Sequence, residues 1–202
     1  MRIFVFARHA ESVLNNERRI NGDPRRSVPL TDHGRDEARF LGLQVQALPL
    51  DACFHTRFER TRDTARLAIE GRDVPLLEQE EFDDIRVGDL EGSTIDEYRA
   101  WKREHRRSDR FPGGESLDEA ALRYAAAYRD LVQRPFDCVL VVCHEIPIRY
   151  ALNAVGGSDD LDRPVHAIPN ATPFLFDDAA LERAADRVER LVTAPAGTRS
   201  PR

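Results

Sequence analysis

The chain is poor in cysteine, and the three it has, Cys53, Cys138 and Cys143, are odd in number. They sit in or beside apolar runs, so we expect reduced, packed thiols and no disulfide framework. No Cys-x-x-Cys or paired-histidine spacing accompanies them, which speaks against a zinc site. Long hydrophobic runs are missing as well. Nothing approaches the roughly 20 apolar residues of a membrane span, and Arg8 interrupts the N-terminal run, so we expect a soluble, cytoplasmic protein with no membrane partner. Net positive charge is also lacking: 30 basic against 36 acidic residues leave −6. That balance argues against a nucleic-acid partner, yet a local arginine cluster can still receive a small anion.

What is present is ordinary globular composition, with 41% hydrophobic and 33% charged residues over 202 positions. This length suits one substantial α/β domain, and no repeat or linker divides it. We place the domain at residues 1–192 and expect a flexible tail over 193–202. Three strand-like runs each end on a histidine: Ile3 to His9, Ala52 to His55 and Val139 to His144. Short runs rich in β-branched and aromatic residues, with helical patterns between them, read as buried parallel strands. The expected fold is therefore α/β in three layers, a mostly parallel central sheet flanked by helices. Ligands bind beyond the carboxyl ends of such strands, so the histidines are expected to meet there.

Between the strands, a polar loop over 15–29 leads to Thr31, which can cap a helix reaching about Ala47. Thr56-Arg57-Phe58-Glu59 has the form of a capping box opening a helix to Ile69. A short strand follows at Val74 to Leu77, then an irregular stretch from Phe82 to Gly92. Further capping boxes, Thr94 to Glu97 and Ser116 to Glu119, start helices through Trp101 and to Val132. A helix from Ile146 to about Val155 closes on Gly156-Gly157. A strand at Thr172 to Phe176 and a helix from Ala179 to Leu191 end the series.

A histidine nucleophile needs a free ring nitrogen near neutral pH, which an ordinary pKa of about 6.5 allows. A phosphoryl group is the matching electrophile, because arginine forks neutralise its oxygens well. Arg8 and Arg60 fit that demand, although Arg8-His9 read alone is equally a polar strand end. Read in order, the segments Arg8-His9-Ala10-Glu11-Ser12 with Asn15, Pro29-Leu30-Thr31, and Thr56 to Ala65 around Arg60 form a series. Phe82 to Gly92, Pro112-Gly113-Gly114-Glu115-Ser116 and Val142-Cys143-His144 continue it. Together they resemble the histidine phosphatase superfamily, the phosphoglycerate mutase-like fold, on its broad-specificity phosphatase side, over residues 1–176.

The resemblance implies that His9 attacks phosphorus to give a phosphohistidine, while Arg8, Arg60 and His144 bind and neutralise the phosphoryl oxygens. Asn15 adds a neutral donor. A carboxylic acid, at Asp84 by position, protonates the leaving oxygen and then helps activate water. Asp83 and Glu91 are the competing candidates for that acid. The cationic side chains carry the charge, so neither metal nor other cofactor is implied, and a short cap is expected around 82–115. The partner is a small phosphorylated substrate, and a homodimer is left open.

The chain departs from the family pattern at four places. Ala10 stands where Gly is usual and requires a negative φ. Asp84 stands where Glu is common. Glu145 follows His144 in place of Gly, and we expect it to point away from the pocket or to pair with Arg149; the lesser reading turns it inward, where it narrows substrate choice. His55 occupies a place usual for small hydroxyl residues and is expected to be packed.

Other readings have distinct signatures. Cys143 to Arg149 matches the Cys-x5-Arg spacing of cysteine phosphatases, but it lacks glycine and contains Pro147, so it reads as coincidence. A phosphoglycerate mutase-type transferase keeps the site and changes the acceptor, and a binding module keeps the fold without turnover. The basic run from Lys102 to Arg110 reads either as a mobile flap steering anions or as a solvated helix face.

Overall fold

A computed structural model describes residues 2–194. Five strands, β1 (Ile3–Arg8), β2 (Ala52–His55), β3 (Leu76–Glu78), β4 (Cys138–Cys143) and β5 (Pro173–Phe176), form one sheet in the order β3-β2-β4-β1-β5. Every neighbouring pair is parallel except β1 with β5. The expected three-layer α/β architecture is present. Along β1, Phe4 and Phe6 point into one apolar layer, while Val5 and Ala7 point into the other. Burial on both faces is why these strands read as continuous apolar runs and not as alternating ones.

Helices α2 (Asp32–Gln44) and α3 (Glu59–Ala68) cover the Val5 face through Ala38, Leu41, Ala65 and Ala68. Helices α5 (Leu117–Gln133), α6 (Glu145–Val155) and α7 (Asp178–Thr193) cover the other through Tyr124, Tyr128, Ile148 and Leu181. Phe6 meets Phe82 edge-to-face at 5.4 Å, tying the sheet to this layer, and Phe176 of neighbouring β5 at 5.5 Å. Two further helices lie at the carboxyl edge of the sheet: α1 (Val13–Asn16) and α4 (Ile95–Glu104).

Several local expectations need correction. The helix from Thr31 ends at Gln44 rather than near Ala47, and β3 is shifted to Leu76–Glu78. The loop expected from Asn15 contains the end of α1. The Thr56 capping box does not form: α3 starts at Glu59, and Phe58 at its N-cap makes no side-chain bond. Thr56 Oγ1 instead meets Thr61 Oγ1 at 2.8 Å and His144 Nε2 at 2.9 Å. The boxes at Thr94 with Glu97 and Ser116 with Glu119 both close. Helix α7 takes up Thr193, the first residue of the expected tail, and 195–202 lie outside the described residues. Among the described residues, no helix is long and apolar enough to cross a membrane.

Candidate active site

Register brings two of the three histidines together. Arg8 pairs with Cys143 across β1 and β4, so His9 and His144 each stand one residue past the last pair on adjacent strands. Their rings lie 5.4 Å apart, and both are nearly or wholly buried. His55, on β2, bonds its Nδ1 to the Thr56 carbonyl at 2.6 Å and lies outside the cavity lining, packed as expected.

The turn after β1 is fixed by backbone bonds. The His9 N–H donates to the Cys143 carbonyl at 2.9 Å, and the Ala10 N–H to Thr64 Oγ1 at 2.9 Å. Among the described non-glycine residues only Arg18 and Ala171 have positive φ, so Ala10 meets its requirement. Gly34 lets α2 approach this turn: a Cβ there would stand 2.0 Å from the Glu11 carbonyl oxygen.

Arg60, on the first turn of α3 and 3% exposed, is the hub. Its Nε donates to His9 Nε2 at 2.9 Å, and Nη2 reaches His144 Nδ1 at 3.1 Å and Asp84 Oδ2 at 3.1 Å. Nη1 bonds the Asn21 side-chain oxygen, and Nη2 lies 3.2 Å from the Asn21 carbonyl. The Phe58 ring supports the guanidinium at 4.3 Å and the His144 ring at 4.7 Å.

These bonds assign the tautomers. His9 Nε2 accepts from Arg60, so Nδ1 carries the proton and donates it to the Ala10 carbonyl at 2.8 Å. His144 Nδ1 accepts from Arg60, so its proton is on Nε2, facing Thr56. Burial, then the Arg60 charge, hold both imidazoles well below their usual pKa. His144 is therefore neutral in the unliganded site and supplies no standing positive charge. Burial also pulls Arg60 down to about 10, which leaves it cationic at neutral pH.

The three carboxyl candidates separate by geometry. Asp84 lines the cavity, with Oδ2 on Arg60 and 3.4 Å from His144 Nδ1. Burial raises its pKa against the opposing pull of Arg60. Asp83 is buried and bound to the Arg57 backbone N–H and side chain at 3.0 and 2.7 Å. Glu91 accepts from Asn21 Nδ2, Gly22 N and Asp23 N at 2.8, 2.6 and 3.1 Å, buckling that loop instead of facing the cavity. The Pro112 to Ser116 motif holds the segment carrying Asp84. Buried Glu115 accepts from Arg86 N at 3.1 Å and Arg123 Nη2 at 2.6 Å.

The cavity encloses about 440 Å³. Arg8, His9, Arg60, Asp84 and Asn15 line it, and α4 roofs it with Ile95, Tyr98, Arg99 and Lys102. Asn15 Oδ1 accepts from Ser12 N and Oγ at 3.2 and 3.1 Å, leaving the amide nitrogen as its donor end. Asn21, another lining residue, escaped sequence reasoning because it lies in a polar loop with no patterned neighbours. Its only signal is its closeness to the first motif.

Three expectations change here. Glu145 pairs with Arg149 at 2.7 Å as expected, but it also lines the cavity and comes within 3.3 Å of Arg8. The basic run is neither a flap nor a solvated face throughout. Lys102 lines the cavity, whereas Arg107 is pinned by Asp118 at 3.1 Å, by Asp162 and by Tyr150 Oη at 2.9 Å. Cys143 is buried, and burial pushes its thiol far up; Arg149 is held by Glu145 and Asp162, so the Cys-x5-Arg match builds no phosphate loop.

A mostly parallel sheet whose carboxyl edge gathers two buried histidines, a buried arginine fork and a carboxyl group defines an α/β protein built to handle phosphoryl groups. The chain belongs to the histidine phosphatase superfamily (branch 1), whose family model matches residues 4–174. It is 34% identical over 167 residues to the 2,3-bisphosphoglycerate-dependent phosphoglycerate mutase 2 of Gloeobacter violaceus, spanning 75% of this chain and 74% of that protein. Phosphoserine phosphatase 1 of Hydrogenobacter thermophilus is 27% identical over 166 residues, with 77% and 76% covered. Among solved structures, Bacillus stearothermophilus YhfR matches with a TM-score of 0.75 at 26% identity, covering 87% of this chain and 90% of that one. This is an enzyme of a superfamily whose members are phosphatases or mutases.

Proposed function

We propose that the chain hydrolyses small phosphomonoesters through a phosphohistidine at His9. The observation that carries this reading is the His9 tautomer: Nδ1–H is fixed on Ala10, so the Nε2 lone pair faces the arginine fork and the cavity. An arriving phosphoryl group replaces Nε2 as the acceptor for Arg60, with Arg8 and the Asn15 amide as further donors. His9 Nε2 then bonds to phosphorus, the P–O bond breaks, and Asp84 gives its proton to the leaving oxygen. In the second step water attacks phosphorus, Asp84 takes the water proton, the P–N bond breaks, and phosphate leaves. His144 stays neutral, and its Nδ1, accepting from Arg60 Nη2 at 3.1 Å, helps hold the fork that receives the phosphoryl oxygens.

Hydrolysis is favoured over transfer by the modest roof. A single helix covers the cavity, and its rim carries Arg19 and Arg99, about half and two-thirds exposed, so water reaches the site. Similarity to a mutase makes transfer to a bound acceptor the second reading. Phosphate release across a phosphomonoester panel is the test. His9→Ala should lower kcat/KM on the order of 10⁴-fold and abolish an acid-labile, base-stable phosphoenzyme. Mutase turnover without phosphate release overturns hydrolysis. Failure to trap phosphohistidine in the wild type supports a binding module instead.

A further inference from the structure

Glu145 is a carboxylate on the wall of an anion-receiving cavity. It opens α6 directly after His144, and its two oxygens face different arginines. Oε1 lies 2.7 Å from Arg149 Nη1, and Oε2 lies 3.3 Å from Arg8 Nη1. The same Arg8 nitrogen donates to the Ile168 carbonyl at 2.8 Å, so one arm of the Arg8 fork is engaged before any ligand arrives. Arg8 Nε is buried without a partner. An anion reaching Arg8 therefore meets a partly occupied fork with a carboxylate beside it.

Arg149 only partly offsets that carboxylate. It is shared with Asp162, whose Oδ1 lies 2.8 Å from its Nη2 and which lines the same cavity. Two carboxylates thus lean on one guanidinium along this wall, although Asp162 also draws on Arg107. The Glu145 charge reaches the reacting groups as well, being among the influences that raise Asp84. A hydrolase must shed phosphate after each turnover, whereas a transferase must keep its phosphoryl group bound.

We propose that Glu145 is a positioning residue that acts through Arg8, competing with phosphoryl oxygens for its guanidinium so that inorganic phosphate is held weakly and leaves quickly. This rests on the phosphatase reading above. Ile95, Tyr98 and Ile146 line the same cavity; a leaving group can meet them and free phosphate has none to offer, so substrate binding is expected to depend less on Arg8.

The test is calorimetric titration of the full chain with inorganic phosphate, together with its inhibition constant in steady-state turnover. Glu145→Gln should bind phosphate about tenfold more tightly, because a like charge is removed from beside the anion. It should lower kcat as product release slows, without lowering kcat/KM. Glu145→Ala should move phosphate affinity in the same direction, which guards against a bond peculiar to the amide. A residue that merely supports the fold would lower kcat/KM and weaken phosphate. Unchanged or weaker phosphate binding in both variants, with His9 still phosphorylated, overturns this inference alone. If the wild type neither binds phosphate nor forms phosphohistidine, the phosphatase reading fails and takes the inference with it.

Discussion

At Asp84 the environment favours the role proposed for it. Burial raises its pKa, so its proton is retained to higher pH than on an ordinary aspartate, which is the state a general acid needs. The alkaline limb of kcat/KM should accordingly sit above the usual carboxylate value and disappear in Asp84→Asn. That variant should lose about 10² to 10⁴-fold on alkyl phosphates and much less on nitrophenyl phosphate, whose leaving group needs no proton. An equal loss on both substrates would remove Asp84 from this role. At this scale the sequence named Arg8, His9, Arg60 and His144 through their motifs, but it left Asp83, Asp84 and Glu91 undecided. Spacing could not separate them, because the difference is one of direction: Arg57 takes Asp83, the 21–23 loop takes Glu91, and Arg60 takes Asp84. The inward turn of Glu145 was the lesser of its two readings for the same reason, and nothing in the chain announces that Arg8 comes within 3.3 Å.

Elements obeyed their local signals wherever the capping side chain had no competing partner. Thr94 and Ser116 cap α4 and α5 as their boxes predict, while the Thr56 hydroxyl is taken by His144 and Thr61. The lost cap marks the place where a tertiary contact overrode local preference. The Pro112 to Ser116 segment works at this scale too. A Cβ at Gly114 would lie 2.2 Å from the Arg86 carbonyl oxygen, so Gly114→Ala must push away the segment carrying Asp84. Stability should fall by about 1–3 kcal/mol, as for other overpacked sites, and kcat should fall more than substrate affinity. Thermal melting and steady-state kinetics read the two effects separately. A variant that loses stability but keeps kcat would show that the clamp does not position Asp84.

The whole molecule carries the cost of two buried, neutral imidazoles. His9 and His144 bind protons less readily folded than unfolded, so between their depressed folded values and about pH 6.5 the unfolded chain holds more protons. Their contribution is full above about pH 6.5 and is lost as pH falls through that window. Denaturant midpoints should therefore drop between pH 7 and 5, and the slope should shrink in a His9→Gln, His144→Gln double variant; an unchanged slope would refute the assignment. At this scale the sheet was legible, because strands buried on both faces are written as apolar runs. The antiparallel pairing of β5 and the gathering of Asn21 into the site depend on long-range geometry that no local pattern carries. Arg60 bonds residues near positions 9, 21, 84 and 144, so its pocket exists only when those distant segments are in place. Any ligand that engages it binds the native state and ignores the unfolded one, and at a hundred times its Kd it adds about 2.7 kcal/mol to the stability of the entire fold. Heat resistance thereby becomes an assay for what the pocket accepts.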